Sequence, residues 1–577
     1  MKPLLKYLRE YRVQSVLAPL FKCLEAVMEL CVPLIVKEII DRGIPDGDRG
    51  FILSRGLILV GLALLGLLFS VTAQYFAARS AYGFGTALRR DLLRKIDSFS
   101  YPELDRIGTS TLHNRLVTDV TRVQDGVNLF LRLFLRSPFI VLGALVLCFR
   151  EDARIGWICL ASVPFLGAAI WAITAYGLPR LTEAQAKLDR VSLLTRENLT
   201  GVRVVRAFSR EERSVREFAG ANEELKDLNL SAGRVSALLN PLTLVMVDLV
   251  IVTILRQGGA RVEAGLLTRG AVVALVNYMT QILTELLRVA DLCVSLTKAL
   301  SSAGRVTKIF ETDCSLPEGS VTDAPERGTV AFEHVSARYH EGADEVLSDL
   351  SFRVEAGQRI GLIGGTGEGK STLINLIPRF YDVSGGRVTV DGTDVRDFTR
   401  EALCRRVTVV PQQAFLFSGT VRENLLMGRG DATDEELREA LARARALDFV
   451  EAKEGGLDAA VERGGANFSG GQRQRLCIAR ALCARPEILI LDDSFSALDA
   501  LTDREIRRTL REELGGVTVI TVSQRVSAVR DCDRILVLED GRLAGEGTHE
   551  ELLRGCPVYR EICESQGAAA GREAADD

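Results

Sequence analysis

One glycine-rich stretch near the middle of the chain, GGTGEGKST, carries the clearest chemistry. It follows an apolar segment typical of a buried strand, QRIGLIG, and precedes a segment with helical periodicity, STLINLIPRF. In that context the spacing G-x-x-x-x-G-K-S is typical of a phosphate-binding loop, in which backbone N–H groups surround the phosphates, the lysine neutralises them and the serine hydroxyl suits Mg²⁺. The acid in this loop is expected to point away from the phosphates. The predicted ATP-binding residues are Gly364, Gly365, Thr366, Gly367, Glu368, Gly369, Lys370, Ser371 and Thr372.

Two further segments point to the same chemistry. The apolar run EILILD ends at Asp492, whose carboxylate is suited to hold Mg²⁺ through water, and Asp493 follows where a water-activating base is expected. The segment NFSGGQRQR places Ser469 and the glycines after it at the start of a helix, where a hydroxyl and free N–H groups form an anion site. The chain therefore carries two predicted phosphate-binding surfaces.

The first half of the chain is predicted to span a membrane. Its connections alternate between short and long, and the long ones are helix-patterned and rich in Lys and Arg. By the positive-inside rule the N-terminus, both long connections and the C-terminal half are cytoplasmic, which predicts a multi-pass protein of the cell inner (plasma) membrane in contact with the lipid bilayer. The six apolar segments, each long enough to cross the hydrocarbon core, lie at 14–43, 52–80, 126–149, 153–177, 235–256 and 269–292.

Charged residues inside the predicted spans have two open interpretations. Lys22 and Glu25 lie one turn apart and favour pairing between side chains, which is the ordinary role of such groups. The alternative is contact with a transported substrate, because an intramembrane acid must face protein or a water-filled cavity. The other acids concerned are Glu29, Asp248 and Glu285.

Composition excludes several other classes of protein. A net charge of −4 and a pI near 5.9 give no support for nucleic-acid binding. The 12 cysteines show no metal-ligand spacing, and we interpret them as reduced residues facing a cytoplasmic compartment. The N-terminus, MKPLLKYLREYR, shows no cleavage site of a signal peptide.

Together these motifs resemble an ATP-binding-cassette (ABC) half-transporter of the exporter type, over nearly the whole chain. The resemblance implies a fold with an all-α six-helix transmembrane domain followed by a soluble α/β P-loop cassette, and two cassettes that enclose two ATP molecules. It implies that Tyr339 stacks on adenine, that Gln412 contacts nucleotide and Mg²⁺, and that the signature Ser469, Gly470, Gly471 and Gln472 closes on the partner's ATP. It also implies that Ala497–Asp499 passes between the sites and that segments near Tyr101–Asp105 and Phe208–Arg213 are coupling helices. The Mg²⁺ ligands implied are Ser371, Gln412 and Asp492.

The sequence departs from the family pattern at two positions of one hydrolytic site. The usual Glu after the Mg²⁺-binding Asp is Asp493, and the usual switch His is Gln524. The shorter carboxylate falls back by about 1.5 Å, and a misplacement of that size costs about 10²-fold in rate. Gln524 keeps hydrogen-bonding capacity but has no titratable proton. We therefore predict a degenerate site that binds ATP and hydrolyses it poorly, beside a signature that completes the site of a second ABC half-transporter in a heterodimer.

Three functions remain in competition at this stage. The leading one is an ATP-driven exporter of amphipathic or hydrophobic compounds such as drugs, lipids or peptides. The second is an importer of metal–chelate complexes with the same fold, and the third is a membrane protein that ATP binding gates without transport work. The predicted spans exclude a soluble ATPase of DNA metabolism.

The predicted domain boundaries follow changes in composition. The transmembrane domain is expected at 1–305, and a polar linker that contains Pro and Gly at 306–328. The cassette is expected at 329–566, followed by a disordered tail at 567–577 with no chemistry of its own.

Overall fold

The computed structural model describes residues 2–339 and 342–573. The chain divides into two compact units. The membrane unit comprises Met1–Asp97 and Thr109–Asp313, and the cassette unit comprises Ser98–Gly108 and Cys314–Asp577. The boundary at 313/314 lies beyond the predicted end of the transmembrane domain at 305, because helical periodicity continues through the start of the predicted linker. In addition, residues 98–108 belong to the cassette unit and not to the membrane unit.

The described part of the membrane unit is helical throughout, as its long apolar segments predict. A 3₁₀ helix, Lys2–Tyr11, precedes α1, and π-helical turns follow α1 and α4 at Ile39–Gly43 and Arg115–Asp119. The α-helices are α1 Arg12–Glu38, α2 Arg49–Asp97, α3 Tyr101–Ile107 (of the cassette unit), α4 Thr109–Asn114, α5 Val120–Leu133, α6 Arg136–Glu151, α7 Ala153–Thr200, α8 Val202–Ala207, α9 Glu211–Ala237, α10 Leu239–Glu263 and α11 Arg269–Glu311.

Five helical stretches of the described chain are long and apolar enough to cross a membrane. The first predicted span, α1, is a helix of 27 residues but is not among these five; it carries Lys22, Glu25 and Glu29 along its length. Apolar contacts nevertheless pack α1 against the other helices of the unit, because Leu30 lies in one buried cluster with residues of α6, α7, α10 and α11. The hydroxyl of Tyr278, a fully buried residue of α11, donates to the Leu30 carbonyl oxygen at 3.1 Å. The five stretches are Arg49–Asp97, Thr109–Glu151, Ala153–Thr200, Glu211–Glu263 and Arg269–Glu311.

The core of the cassette unit is a six-stranded sheet in the order β12-β11-β3-β10-β9-β6, parallel except for the edge strand β12. Its central strands are continuous apolar runs such as ILILD and TVITV, because helices or other strands cover both faces. In register, Ile520 lies between Ile360 and Ile490, so the carboxyl ends of three strands meet at one edge. The strands of this sheet are β3 Arg359–Ile363, β6 Val407–Val410, β9 Ile488–Asp492, β10 Thr518–Val522, β11 Arg534–Glu539 and β12 Arg542–Gly547.

An antiparallel sheet in the order β2-β1-β4-β5 and a small pair, β7 and β8, complete the strands of the unit. They are β1 Val330–Ala337, β2 Leu347–Val354, β4 Gly385–Val390, β5 Thr393–Asp394, β7 Gly419–Thr420 and β8 Ala460–Val461. Short 3₁₀ helices lie at Gly456–Asp458 and Arg463–Gly465. The α-helices are α12 Lys370–Leu376, α13 Arg400–Arg406, α14 Val421–Leu426, α15 Asp434–Arg443, α16 Leu447–Glu451, α17 Gly470–Cys483, α18 Ala500–Glu513, α19 Val526–Val529, α20 His549–Gly555 and α21 Pro557–Glu573.

The C-terminal helix reaches further than the sequence predicts. A disordered tail is expected from 567, but α21 is helical to Glu573, in keeping with the high helix propensity of its three consecutive alanines. The last part of the predicted tail, 574–577, lies outside the described residues.

Candidate functional site

The glycine-rich loop joins β3 to α12 at the carboxyl edge of the parallel sheet. Gly367 and Gly369 have φ values of 92° and 89°, a left-handed conformation that favours glycine. A side chain at Gly369 would also meet Leu347 Cδ2 at 2.7 Å. The loop therefore needs glycine at this position for both its conformation and its packing.

Lys370 begins α12 and turns back over its own loop. Its Nζ donates to the carbonyl oxygens of Gly364, at 3.0 Å, and of Gly365. The residue is only 9% exposed, and burial lowers the pKa of its ammonium group, although the charges of Glu368, Asp492 and Asp493 oppose that shift. The ammonium group is thus held at the centre of the loop, where anionic phosphate oxygens would be neutralised.

Asp492, at the end of β9, faces the same loop. The Ser371 hydroxyl donates to Asp492 Oδ2 at 3.4 Å. Burial raises the pKa of the Asp492 carboxyl, the charge of Asp493 adds to the effect, and the Ser371 hydrogen bond and the Lys370 charge oppose it. A carboxylate destabilised by burial gains from a nearby cation, so this position favours a bound metal ion.

Asp493 accepts hydrogen bonds from two donors that follow other strands. Ser523 Oγ donates to Asp493 Oδ1 at 3.4 Å, and Gln412 Nε2 donates to Oδ2 at 3.5 Å. The Asp493 backbone is left-handed, with φ 44°, and its N–H donates to the Val522 carbonyl oxygen at 2.9 Å. Asp tolerates this conformation better than longer side chains do.

The predicted switch position, Gln524, lines the same cavity and contacts the loop. The Thr366 hydroxyl donates to Gln524 Oε1 at 3.4 Å. The side-chain amide of Gln566, in α21, makes two hydrogen bonds to the backbone at residues 524 and 526. Its Nε2 donates to the Gln524 carbonyl oxygen at 2.7 Å, and its Oε1 accepts from the Val526 N–H at 2.8 Å. The C-terminal helix therefore positions the switch segment.

These groups surround one cavity of about 380 Å³. Most of the predicted ATP-binding residues line it, but Gly364, Gly365 and Glu368 do not. Glu368 Oε2 instead accepts a hydrogen bond from the Asp540 N–H, so its carboxylate is directed to the Asp540 turn. The lining residues are Tyr339, Val346, Thr366, Gly367, Gly369, Lys370, Ser371, Thr372, Gln412, Asp492, Asp493, Val522, Ser523 and Gln524.

Tyr339 stands at the mouth of this cavity. Its hydroxyl shares a hydrogen bond of 2.7 Å with Thr372 Oγ1, and its ring packs edge-on against Tyr381 with centroids 5.2 Å apart. Nearly half of the residue is exposed, which leaves aromatic surface available for stacking.

The predicted signature forms a separate surface of the cassette unit. Ser469 caps α17: its hydroxyl accepts from the Gln472 N–H at 3.2 Å, and Gln472 Oε1 accepts from the Ser469 N–H at 3.0 Å. Ser469 and Gly470 are exposed, and none of the four signature residues lines the cavity described above. A side chain at Gly471 would approach the Ala497 carbonyl oxygen at 3.3 Å, so the signature lies against the Ala497–Asp499 loop.

The two predicted coupling segments differ in their surroundings. In α3, the Tyr101 ring stacks on Phe380 with centroids 4.4 Å apart, and Tyr381 donates to Asp105 Oδ2 at 2.5 Å. These contacts link α3 to the aromatic pair next to the cavity. The Phe208–Arg213 segment joins α8 to α9 in the membrane unit, where Phe208 is 72% exposed.

Sequence reasoning missed several residues of this site. Val346, Val522 and Ser523 line the cavity, and Gln566 brackets the switch segment. Ser523 immediately precedes Gln524, so its position beside a predicted site residue was a usable signal. No signal in the sequence marked Gln566, because its partners are 42 and 40 residues away along the chain.

The donor set suits Mg²⁺ bound together with phosphate. A serine hydroxyl, a carboxylate and an amide oxygen are hard oxygen ligands, which Mg²⁺ prefers over nitrogen or sulfur. Gln412 directs its amide nitrogen to Asp493, which leaves its amide oxygen as an acceptor. Within residues 2–339 and 342–573, no group of three or more His, Cys, Asp or Glu could hold a metal ion.

Comparisons with known proteins extend over both units. Residues 16–286 match the family described as ABC transporter transmembrane region, and residues 347–496 match ABC transporter. An uncharacterized ABC transporter ATP-binding protein of Mycobacterium tuberculosis is 36% identical over 571 residues, 98% of each chain. An ATP-dependent lipid A-core flippase of Desulfotalea psychrophila is 31% identical and covers 94% of this chain and 95% of its own. A solved bacterial Atm1-family ABC exporter with ATP bound has a TM-score of 0.80 at 25% identity, over 97% of this chain and 98% of its own.

Proposed function

The chain belongs to the ABC transporter family, as an exporter-type, ATP-hydrolysing half-transporter of the membrane, and we propose that it is the degenerate-site subunit of a heterodimer. Its proposed cargo is an amphipathic or hydrophobic compound, such as a drug, lipid or peptide, moved by alternating access. The apolar helices of the membrane unit and the relative named as a lipid A-core flippase support that substrate class.

The observation that carries the proposal is the pairing of Asp493 with Gln524 in one cavity. A base must touch the attacking water at hydrogen-bond distance, and the Asp493 carboxylate is one methylene shorter than the usual Glu. Both of its oxygens already accept hydrogen bonds from Ser523 and Gln412, which draws it toward the protein. Gln524, the second departure, cannot exchange a proton at the γ-phosphate.

Binding functions of the same cavity are retained. The glycine loop supplies N–H groups, Lys370 supplies a buried positive charge, and Tyr339 offers a ring for adenine. We propose that Ser371, Asp492 and Gln412 hold Mg²⁺ with the triphosphate. When bound, Mg²⁺ would neutralise developing charge on the phosphate oxygens. The proposed outcome is tight ATP binding with slow hydrolysis.

A heterodimer follows from this asymmetry. A homodimer would contain two impaired ATP sites, so almost no ATP hydrolysis would be available to drive transport. Ser469 is exposed and caps α17, and the SGGQ segment is complete. These features suit a surface that closes a partner's ATP site. We propose that the partner provides the Glu and the His that this chain lacks.

The test is to purify the protein gently from its native membrane, identify the chain that co-purifies with it, and compare ATP binding and hydrolysis. We expect the isolated chain to bind ATP and to turn it over very slowly, and the assembled pair to hydrolyse it faster when candidate amphiphiles are added. Brisk hydrolysis by a verified homodimer would refute the degenerate site. ATP binding with no hydrolysis even in the assembled pair would favour a gated membrane protein without transport work.

Variants at Asp493 and at the partner's catalytic Glu distinguish the contributions of the two ATP sites to turnover. We expect Asp493→Asn to leave substantial turnover, whereas replacing the partner's catalytic Glu by Gln abolishes it. Equal losses from both changes would mean that Asp493 is a working base. Protein-dependent uptake of metal–chelate complexes into cells, in place of efflux, would favour the importer.

A further inference from the structure

A row of four charged side chains crosses three helices of the membrane unit. Arg136 of α6 donates from Nη2 to Glu29 Oε2 of α1 at 2.7 Å and from Nη1 to Glu285 Oε1 of α11 at 2.6 Å. Arg288, one turn further along α11, donates to the same Glu285 oxygen at 2.5 Å. The order is Glu29–Arg136–Glu285–Arg288, with alternating signs, and the four formal charges cancel. We call this set the charged row.

The middle of the charged row is buried, and its two ends are open. The side chains of Arg136 and Glu285 are 7% and 2% exposed, whereas those of Glu29 and Arg288 are 40% and 43% exposed. A carboxylate therefore stands at one accessible end and a guanidinium at the other. Each end group can make further polar contacts, because a carboxylate accepts several hydrogen bonds and a guanidinium donates five.

The row lies inside the predicted spans, and Arg136 is the first residue of α6. Arg136 and Glu285 are roughly 15 residues, or about 22 Å, from the short-loop ends of α6 and α11, by the rise of an α-helix. The hydrocarbon core is about 30 Å thick, so the row falls inside it. Charged groups that faced lipid there would be costly, so the open ends must face a water-filled path or a second chain.

Nearby charges show what a purely structural pair looks like. Lys22 donates to Glu25 at 2.5 Å and to Ser70 at 3.2 Å, and both charged side chains are largely buried. In the charged row, by contrast, the buried atoms Arg136 Nε and Glu285 Oε2 have no hydrogen-bond partner among the described residues. The charged row therefore differs from this pair in its unpartnered buried atoms and in its two exposed ends of opposite charge.

We propose that the charged row is the headgroup site for a zwitterionic amphiphile, with its ammonium group at Glu29 and its phosphate or carboxylate at Arg288. The inference rests on the proposed export of amphipathic compounds and names their headgroup class. A singly charged headgroup would be attracted by one end and repelled by the other. A headgroup with both charges matches both ends while the row stays neutral, and its apolar tail would lie against the apolar walls of the spans.

The test uses the assembled exporter in liposomes of neutral glycolipid and four probes. Three share one acyl or alkyl length: a lysophosphatidylethanolamine, a lysophosphatidylglycerol and an alkyltrimethylammonium salt. The fourth is free phosphoethanolamine, which distinguishes a soluble zwitterion from a lipid. Binding is measured by equilibrium titration, and ATPase stimulation is measured in parallel. We expect the zwitterionic lipid to bind about tenfold tighter than either singly charged probe, the size of effect that one charge-assisted hydrogen bond gives.

Variants at each end of the charged row show which charge of the headgroup that end binds. Glu29→Gln should abolish the preference for the zwitterion over the anionic probe, and Arg288→Gln should abolish its preference over the cationic probe. Asp248→Asn, an acid-to-amide change on α10 outside the charged row, is the matched control and should keep both preferences. Thermal unfolding of each variant is recorded, so that a loss of folding is not mistaken for a loss of recognition.

Two results would overturn the inference. One is equal binding of all three lipid probes by the unchanged protein, and the other is an equal loss for all probes in both variants. Tight binding of free phosphoethanolamine would keep the headgroup assignment and identify a soluble zwitterion as the ligand. If amphiphiles stimulate the ATPase activity of the assembled pair without headgroup preference, only the charged-row inference fails. If no amphiphile binds or stimulates the ATPase activity, the proposed function fails as well.

Discussion

The Ser523 hydroxyl donates a hydrogen bond to the Asp493 carboxylate at 3.4 Å, across the ends of two adjacent parallel strands. The strands are β10 and β9, whose final residues, Val522 and Asp492, are register partners. This contact holds a short carboxylate at the strand ends, beside the phosphate loop. Gln524 lines the same cavity, and the proposed slow hydrolysis rests on these two positions.

Restoring the family residues should restore hydrolysis in the isolated chain. We expect the double variant Asp493→Glu with Gln524→His to raise its ATPase rate by about 10²-fold, because the longer carboxylate regains the distance to water. Asp493→Asn with Gln524→His is the matched control and should remain slow. No gain from the first variant would mean that the slow rate has another cause. The left-handed backbone at 493 should make Glu cost about 1 kcal/mol in folding stability, measurable by thermal unfolding.

Lys370 should dominate ATP affinity within the glycine loop. Lys370→Ala removes the buried ammonium group and its hydrogen bond to the Gly364 carbonyl oxygen, so we expect ATP affinity to fall by at least about 10²-fold. Titration with a fluorescent ATP analogue measures the change. Glu368→Gln alters charge in the same loop but at a side chain that contacts the Asp540 N–H, so its effect should be much smaller. Similar losses from the two variants would show that loop structure, and not charge, is what Lys370 provides.

ATP binding with Mg²⁺ should weaken in mild acid because of Asp492. Burial raises the pKa of this carboxyl, so in the unliganded protein it takes up a proton at a higher pH than an ordinary Asp. Protonation removes the charge that would hold the metal in the proposed site, and Mg²⁺-dependent affinity should therefore decline as the pH falls through the raised pKa. Titrations at a series of pH values, with and without Mg²⁺, measure this. Asp492→Asn should flatten the profile; an unchanged profile would assign the titration to another group.

Deprotonation of Lys370 should weaken ATP binding at alkaline pH. Its pKa is lowered by burial, so the ammonium group loses its proton below the usual range for lysine. Affinity for ATP without Mg²⁺ should fall as the pH rises through that lowered pKa. Lys370→Arg keeps its charge throughout this range and should lose the dependence. Persistence of the alkaline decline in that variant would exclude Lys370 as its source.

The Tyr381 hydroxyl should matter for coupling more than for nucleotide binding. Tyr381→Phe removes the hydrogen bond to Asp105 of α3 and keeps the ring that packs against Tyr339. We expect unchanged ATP affinity and a reduced fold-stimulation of ATPase activity by amphiphiles. Tyr559→Phe, which removes a hydroxyl that shares a 2.7 Å hydrogen bond with His549 elsewhere in the cassette, is the control. A loss of ATP affinity in Tyr381→Phe would place the hydroxyl in the nucleotide site instead.

The sequence by itself determined the features that depend on neighbouring residues. The apolar segments predict membrane helices because their length and hydropathy are local properties, and the glycine spacing predicts the phosphate loop because its conformation requires glycine. The start of α17 could be predicted in the same way, since its capping by Ser469 and Gln472 involves residues three apart. The Lys22–Glu25 pair was likewise predicted from its helical spacing and is present.

Only the tertiary structure decided which distant residues meet. Gln412, Asp493 and Ser523 follow three different strands, and they share a cavity because hydrogen-bonded parallel strands bring their carboxyl ends to one edge. Arg136 lies inside a predicted span, but its contacts could not be predicted from the sequence, because its partners Glu29 and Glu285 are 107 and 149 residues away. Local spacing carries no information about contacts of this range. They are set by the packing of helices and strands, which brought Glu29 and Glu285 to Arg136.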